Sequence, residues 1–221
     1  MPVKAQDEIA KAVLESLAGK GFVLAGGKAL IELGLVSRET NDLDIFGNEL
    51  DKEKFDEAIS LIEEALRGKY DIETERLSDF FARLKVSDAD NTVEIDLGID
   101  YREYKPKRLL VGEVLDERDA ILNKVSALYG RAAARDYYDL YSIRKTNTLS
   151  DEEIIAKSKE RDSGFVEKYF VEALKGVQKI KYEELREYGV SEDGFREMQK
   201  DLLSWAQDIE GASTKEDSPK L

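Results

Sequence analysis

The stretch GGKALIELGLVSRETNDLDIF, from Gly26 to Phe46, opens with a glycine pair and ends with two aspartates in a short apolar run. The pair follows an apolar segment, residues 21–25, and precedes a helical pattern over residues 28–33. Glycines between a strand and a helix let the backbone approach a phosphate, and the helix N-terminus offers unpaired N–H groups. A tight turn that needs a positive φ would use the same residues, so the pair alone decides no function.

Asp42 and Asp44 alternate with Leu43 and Ile45, which is the period of a β-strand. Both carboxylates therefore point to one face of the strand. Two carboxylates held this close repel each other unless a cation lies between them. The spacing predicts a metal site, and an ordinary solvent-exposed strand face is the alternative.

A calcium-binding loop is a second chemical reading of the same residues. Asp42, Asp44, Gly47 and Glu53 match loop positions 1, 3, 6 and 12. Position 5 would be Phe46, which has no ligand oxygen, and no clear helix precedes Asp42. The spacing therefore favours a metal site on a strand over a calcium loop.

Asp96 lies in the run VEIDL, residues 93–97, where apolar residues alternate with Glu94 and Asp96. This alternation again predicts a strand with both acids on one face. A third carboxylate on a neighbouring strand could bind a second metal ion or take the proton from an attacking hydroxyl. An exposed strand face is the alternative here too.

The amino-acid composition limits which side chains could take part in catalysis. The chain of 221 residues has no cysteine and no histidine. Disulfides, thiol nucleophiles, histidine bases and typical zinc hydrolase sites are therefore excluded. Catalysis would depend on carboxylates, Lys, Arg, Tyr, hydroxyls or a bound metal, and magnesium held by carboxylates suits that set.

The net charge of −14 is unevenly distributed. Residues 101–145 carry 10 basic and 7 acidic side chains, whereas the segments on either side are net negative. An acidic protein is not an obvious nucleic-acid binder. A local cationic strip would suit a phosphate-rich substrate, and chance clustering on a helix surface is the alternative.

The N-terminal residues MPVKAQDE contain no apolar core of a signal peptide, and no apolar run approaches the roughly 18 residues that span a bilayer. We expect a cytoplasmic protein without a membrane segment.

Local patterns predict an α+β fold. The first part, residues 1–115, is expected to hold a small mixed or antiparallel sheet, residues 116–210 a helical lobe, and residues 211–221 a polar tail. Asp51 is a plausible N-cap for a helix over residues 52–67. The other expected strands are 21–25, the segment around Leu43 and Ile45, 70–77, 80–87 and 92–98, and the other expected helices are 7–19, 28–33, 116–129, 135–145, 151–158, 163–177 and 194–208.

Two charged groups stand out in the helical part. Lys124 could reach a triphosphate as a point charge, with a surface lysine as the alternative. Asp136 and Asp139 are three residues apart, a spacing that can put both on one helix face. An N-cap and a helix-surface acid are the alternatives for these two.

Together these pieces resemble a known family, the AbiEii-like nucleotidyltransferase toxins, which include the MenT-type toxins and belong to the polymerase-beta-like superfamily. The resemblance covers roughly residues 20–145. It rests on GGKAL at residues 26–30, RETNDLDIF at 38–46, EID at 94–96, Lys124, and RDYYDLY at 135–141.

The resemblance implies a sheet of the polymerase-beta palm type, with the aspartates on adjacent strands, and a helical lobe that completes the active site. It implies that Asp42 and Asp44 are metal ligands. It also implies that Lys124 and Asp139 are the family's functional lysine and later aspartate, whereas Asp96 is assigned by topology.

The nucleotide-binding candidates are Gly26, Gly27, Lys28, Arg38 and Lys124. The glycines and the following helix N-terminus would cradle phosphate oxygens, and Lys124 and Arg38 would offset the triphosphate charge. Gly27 departs from the superfamily pattern, where a serine is common, so a hydroxyl on the phosphate is missing.

The implied activity is transfer of a nucleotide from a nucleoside triphosphate, with two Mg²⁺ ions, to the 3′ end of tRNA or to another RNA. A cognate antitoxin is the implied partner. The alternatives are nucleotidyl transfer to a protein hydroxyl, or a module that binds a nucleoside triphosphate or an antitoxin without catalysis. The sequence does not choose the triphosphate, the acceptor, or which of Asp136 and Asp139 belongs to the site.

Overall fold

The computed structural model describes residues 3–216, with side chains for residues 6–212. The chain divides into two compact units. The first unit comprises residues up to Gly34 and Thr40–Ala120, and the second comprises Leu35–Glu39 and the residues from Ile121 onward.

The first unit is built on a mixed sheet whose strand order is β3-β4-β5-β2-β1-β7-β6. Four neighbouring pairs are antiparallel, whereas β2 with β5 and β1 with β7 are parallel. The strands are Val23–Ala25 (β1), Asp42–Gly47 (β2), Asp71–Ser78 (β3), Phe81–Ser87 (β4), Thr92–Ile99 (β5), Lys107–Arg108 (β6) and Glu113–Val114 (β7).

Nine α-helices lie within residues 3–216, together with one turn of 3-10 helix at Gly176–Lys179. They are Val3–Ser16 (α1), Gly26–Glu32 (α2), Lys52–Leu66 (α3), Glu117–Gly130 (α4), Ala134–Thr146 (α5), Asp151–Arg161 (α6), Glu167–Lys175 (α7), Glu183–Arg186 (α8) and Glu192–Glu216 (α9). Over the residues that the structure describes, no helix has the length and apolar character needed to cross a membrane.

The core of the first unit lies on one face of the sheet. The alternating side chains of β2 and β5 bury Leu43, Ile45, Ile95 and Leu97 completely. Apolar residues of α1 and α3 join them in one cluster, which includes the fully buried Phe55. Because the strand period is two, the polar residues of β2 and β5 are placed on the other face.

Helix α3 begins where the sequence predicts and ends at Leu66, one residue before the predicted end. The side chain of Asp51 accepts a hydrogen bond from the Lys54 backbone N–H at 3.1 Å, so this residue is the N-cap. Gly68 lies just beyond the helix with a φ of +81°, a conformation that glycine adopts without steric cost.

The second unit is helical and has its own core. Trp205 is 1% exposed and makes an edge contact with Phe170, with ring centroids 5.4 Å apart. Tyr137 is also buried, and its hydroxyl donates to the Ala173 carbonyl at 2.9 Å. Buried aromatic groups of this size dominate the burial of apolar surface in a small lobe.

The predicted α+β class is confirmed, and the sheet is mostly antiparallel. The sequence prediction missed β6 and β7, because two-residue strands show no period. Helix α9 continues past Gly211, where the polar tail was expected to begin, as far as Glu216. Residues 217–221 of that expected tail lie outside the described residues.

Candidate active site

The two aspartates of β2 share the polar face of the sheet. Asp42 and Asp44 are partly exposed, while Leu43 and Ile45 between and beside them are fully buried. The amide of Gln6 lies 3.5 Å from the Asp42 carbonyl oxygen. The apolar residues fix the register of the strand, and the register in turn fixes the direction of both carboxylates.

Strand β5 brings two more acids to the same face. In the parallel ladder, Asp44 is the Cα partner of Asp96, and Asp42 is the partner of Glu94. Neighbouring strands lie about 4.8 Å apart, so the four residues form a compact two-by-two array. We call Asp42, Asp44, Glu94 and Asp96 the carboxylate face.

Gly26 makes room for one of these carboxylates. It opens α2 with a φ of +59°, and a Cβ built on it would lie 1.7 Å from Asp44 Oδ2. No side chain could occupy that space without moving the carboxylate. The glycine pair therefore does more than turn the chain, because its first member lets Asp44 lie against the start of α2.

Lys28, a predicted nucleotide-binding residue, is buried and already paired. Its Nζ lies 2.6 Å from Asp7 Oδ1 and 2.7 Å from Glu32 Oε1. Burial alone would lower the pKa of Lys28, but the hydrogen bonds that the ammonium donates to Asp7 and Glu32 outweigh it and raise the pKa. Gly27 is buried beside it in the first turn of α2.

Arg83 on β4 is the direct Cα partner of Asp96 in the antiparallel pairing of β4 with β5. Its Nε and Nη2 donate to the two oxygens of Asp96 at 2.7 and 2.9 Å. This bidentate pair is the geometry that guanidinium and carboxylate groups prefer. The sequence analysis missed Arg83, although the alternation of β4 puts it on the face opposite the buried Ala82 and Leu84.

The carboxylate face has the ligand chemistry that magnesium prefers, because hard oxygen donors lie on adjacent strands. Asp42 and Asp44 contribute carboxylate oxygens from one side of β2. Both oxygens of Asp96 are engaged by Arg83, and no three acidic residues among the described side chains converge closely enough to hold an ion in this arrangement. The donor set therefore matches magnesium in ligand type, and Asp96 would have to exchange Arg83 for the ion.

The other predicted site residues form a second group, which lies within the second unit. Lys124 on α4 is 7% exposed, and its Nζ lies 2.9 Å from Asp139 Oδ2 and 3.4 Å from Asp136 Oδ1. Both carboxylates are fully buried on α5. Lys124 therefore touches both of the aspartates between which the sequence could not choose.

Two arginines complete this buried ion-pair group. Arg38 donates from Nε and Nη2 to Asp139 at 2.5 and 2.8 Å, and Arg131 donates in the same way to Asp136 at 2.8 and 3.0 Å. The Arg38 side chain is 2% exposed, whereas that of Arg131 is 54% exposed. Arg38 had been predicted as a triphosphate contact, and its pairing with Asp139 was not foreseen.

The pKa of Asp136 reflects this surrounding. Burial would raise it, but the hydrogen bonds from Arg131 and the charges of Lys124 and Arg131 outweigh burial and hold the pKa of Asp136 below its usual range. With three cations and two carboxylates, the second-unit group carries one excess positive charge when all five side chains are ionised.

The predicted site residues thus fall into two sets. Gly26, Gly27, Lys28 and the three aspartates of β2 and β5 lie in the first unit, whereas Arg38, Lys124 and Asp139 lie in the second. Within the first unit, Asp42, Asp44 and Asp96 come together on one face beside Gly26. Within the second, Arg38, Lys124 and Asp139 are in direct contact.

The fold is similar to that of three solved structures. A candidate nucleotidyltransferase from H. pylori matches with a TM-score of 0.64 and 19% identity, covering 99% of this chain and 100% of that one. JHP933 from Helicobacter pylori matches with 0.60 and 20%, covering 98% and 96%. MenT4, a nucleotidyltransferase toxin from Mycobacterium tuberculosis H37Rv, matches with 0.58 and 17%, covering 92% and 83%.

These likenesses define the class of fold, a nucleotidyltransferase-like α+β protein. No curated protein matches the chain by sequence. The model of the family described as nucleotidyl transferase AbiEii toxin, type IV toxin–antitoxin system, matches residues 10–217. The chain belongs to this AbiEii family of nucleotidyltransferase toxins, as its motifs predicted.

Proposed function

We propose that this nucleotidyltransferase toxin uses magnesium to transfer a nucleotide from a nucleoside triphosphate to a hydroxyl of RNA, with the 3′ end of tRNA as the acceptor. The observation that carries the proposal is the carboxylate face. Asp42 and Asp44 share one side of β2, and Asp96 is the direct neighbour of Asp44 on β5.

In this proposal Asp42, Asp44 and Asp96 hold two Mg²⁺ ions. The ions would neutralise the triphosphate and lower the pKa of the acceptor hydroxyl. Asp96 serves as a ligand or accepts the proton of that hydroxyl. Gly26 keeps space for the Asp44 carboxylate, and Gly27 and the start of α2 present backbone to the phosphates.

The roles proposed for the second unit rest on charge. Lys124 offsets negative charge of the triphosphate, with Arg38 as a further candidate, and Asp139 positions both cations through its two short contacts.

The test is incorporation of label from α-³²P nucleoside triphosphates into total tRNA in the presence of Mg²⁺. Asp42→Asn and Asp44→Asn should each lower the rate by at least about 100-fold, because several kcal/mol of charge stabilisation are lost. Glu73→Gln, on the exposed strand β3, is the matched control and should keep the wild-type rate.

The acceptor is tested in the same reactions by replacing tRNA with lysate protein. Label in protein alone would replace the RNA acceptor with a protein hydroxyl. Binding of a triphosphate without release of pyrophosphate would indicate a non-catalytic module. Full activity of Asp42→Asn and Asp44→Asn would contradict the proposed metal site.

As a toxin of a toxin–antitoxin family, the protein is proposed to have a cognate antitoxin. Co-expression of the toxin with the neighbouring gene product should restore the growth that the wild-type toxin inhibits. The Asp42→Asn variant should inhibit growth in neither condition.

A further inference from the structure

Arg83 engages the third proposed metal ligand. The guanidinium lies across from Asp96 in the antiparallel ladder of β4 and β5 and bonds both carboxylate oxygens. Its Nε also lies 3.8 Å from Glu94 Oε2. One cation therefore balances two acids of the carboxylate face, and it does so at the oxygens that a metal ion would need.

The Arg83 side chain is not locked in the core. It is 41% exposed, and Asp96 is 21% exposed. The neighbours Ala82 and Leu84, which are fully buried, hold the strand from the other face. The arginine can therefore change rotamer without disturbing the packing of β4, unlike Arg38, whose side chain is 2% exposed.

We propose that Arg83 is the resident counter-cation of the metal site. It occupies the Asp96 oxygens, and a divalent ion must displace it before Asp96 can serve as a ligand. This inference rests on the proposed function in one respect, that Asp42, Asp44 and Asp96 hold the metal.

The direction in which metal affinity changes when Arg83 is replaced distinguishes competition with the ion from support of its ligand. If Arg83 competes with the ion, removing its charge strengthens metal binding. If Arg83 instead holds Asp96 in place for the bound ion, removing it weakens metal binding.

The experiment measures Mn²⁺ binding to the full chain by electron paramagnetic resonance, without nucleotide, at about 0.15 M salt so that distant charges are screened. Arg83→Gln should bind Mn²⁺ about fivefold more tightly than wild type, since one charge-assisted bidentate pair no longer competes. The matched control is Lys85→Gln, which removes the cation facing Glu94 on the same strand. It should stay within about twofold of wild type.

Equal or weaker binding by Arg83→Gln, or an equal gain in Lys85→Gln, would overturn the inference. Asp42→Asn separates the two proposals. If it loses Mn²⁺ binding while Arg83→Gln equals wild type, only the role of Arg83 fails. If it binds as wild type does, the metal site and the role of Arg83 fail together.

A second measurement is made on the wild-type protein. The Arg83 Nε–H resonance, assigned through its loss in Arg83→Lys, should move during a Mg²⁺ titration of the ¹⁵N-labelled wild type as its bond to Asp96 breaks. The shift should saturate with the same dissociation constant as metal binding. A resonance that stays in place while Mg²⁺ binds would contradict displacement.

Discussion

At the scale of single residues, Gly26 lets the carboxylate of Asp44 lie against the start of α2. Two features require glycine at this position: its φ is positive, and a Cβ built on it would lie 1.7 Å from Asp44 Oδ2. Gly34 has only the first of these features, since its φ is +71° and a Cβ built on it would meet nothing within 4 Å.

We predict that Gly26→Ala abolishes nucleotide transfer, whereas Gly34→Ala does not. Alanine is strained at positive φ, which should cost both variants about 1 kcal/mol of stability, and Gly26→Ala should lose more because its Cβ would clash with Asp44. Only Gly26→Ala displaces the Asp44 carboxylate. Label incorporation and urea unfolding of the two variants check this, and equal activity of both would show that the position of Asp44 is unimportant.

The two arginines of the second-unit group form a natural comparison. Arg38 and Arg131 each make a bidentate pair with a fully buried aspartate, yet one is 2% and the other 54% exposed. We predict that Arg38→Gln lowers the free energy of unfolding by about 3–5 kcal/mol, because Asp139 loses a buried partner.

Arg131→Gln should cost about 1 kcal/mol, since water can replace much of an exposed partner. Chemical denaturation of both variants measures the difference. Similar losses in the two variants would mean that burial of the guanidinium does not set the strength of these pairs.

The depressed pKa of Asp136 predicts a pH-dependent stability. A carboxyl group with a folded pKa below the unfolded value near 3.9 stabilises the fold above that pH and loses the contribution as pH falls toward the folded pKa. The difference in unfolding free energy between wild type and Asp136→Asn should therefore shrink below about pH 4. A constant difference from pH 7 to pH 3 would contradict the depressed pKa.

At the scale of secondary-structure elements, the sequence predicts best where a period is long enough to see. β2, β4 and β5 alternate over six to eight residues, and the prediction found each of them. The period also gave the shared face of Asp42 and Asp44. It could not give the pairing of β2 with β5, which places Asp96 beside Asp44, because register between distant strands follows from packing.

Contacts between side chains were the least predictable part of the site. Lys28 and Lys124 were predicted to bind nucleotide, with a surface lysine as the alternative for Lys124. Both prove buried between two acids. Arg83 was not predicted as a site residue, because the sequence of β4 was used only to predict a strand. The alternation of β4, compared with that of β5, could have indicated that Arg83 belongs to the site.

The cap of α3 allows an element-scale prediction. Asp51 accepts from the Lys54 backbone and also lies 3.9 Å from its ammonium, whereas Glu49 contacts the ammonium alone. Asp51→Ala should cost about 1 kcal/mol through loss of the N-cap. Glu49→Ala should cost less than about half of that, as an exposed pair. Equal costs in thermal unfolding would assign the effect to charge and not to capping.

At the scale of the whole molecule, the absence of histidine and cysteine has a physical consequence. No side chain with an ordinary pKa titrates between about pH 5.5 and 7. The pKa of buried Lys28 is raised and those of buried Asp116 and Asp136 are lowered, each away from this range.

We therefore predict that the free energy of unfolding is constant from about pH 5.5 to 7. Denaturant titrations at several pH values check this. A slope in that range would reveal a carboxyl group with a strongly raised pKa.

The parallel pairing of β2 with β5 also has a consequence for synthesis. The ribosome must synthesise α3, β3 and β4 between these two strands. Asp96, the neighbour of Asp44 on β5, is therefore encoded 52 residues after it. A nascent polypeptide that stops before β5 carries the first two acids of the carboxylate face and lacks the others. Toxicity should therefore require synthesis through β5 and the slow long-range pairing of this strand with β2.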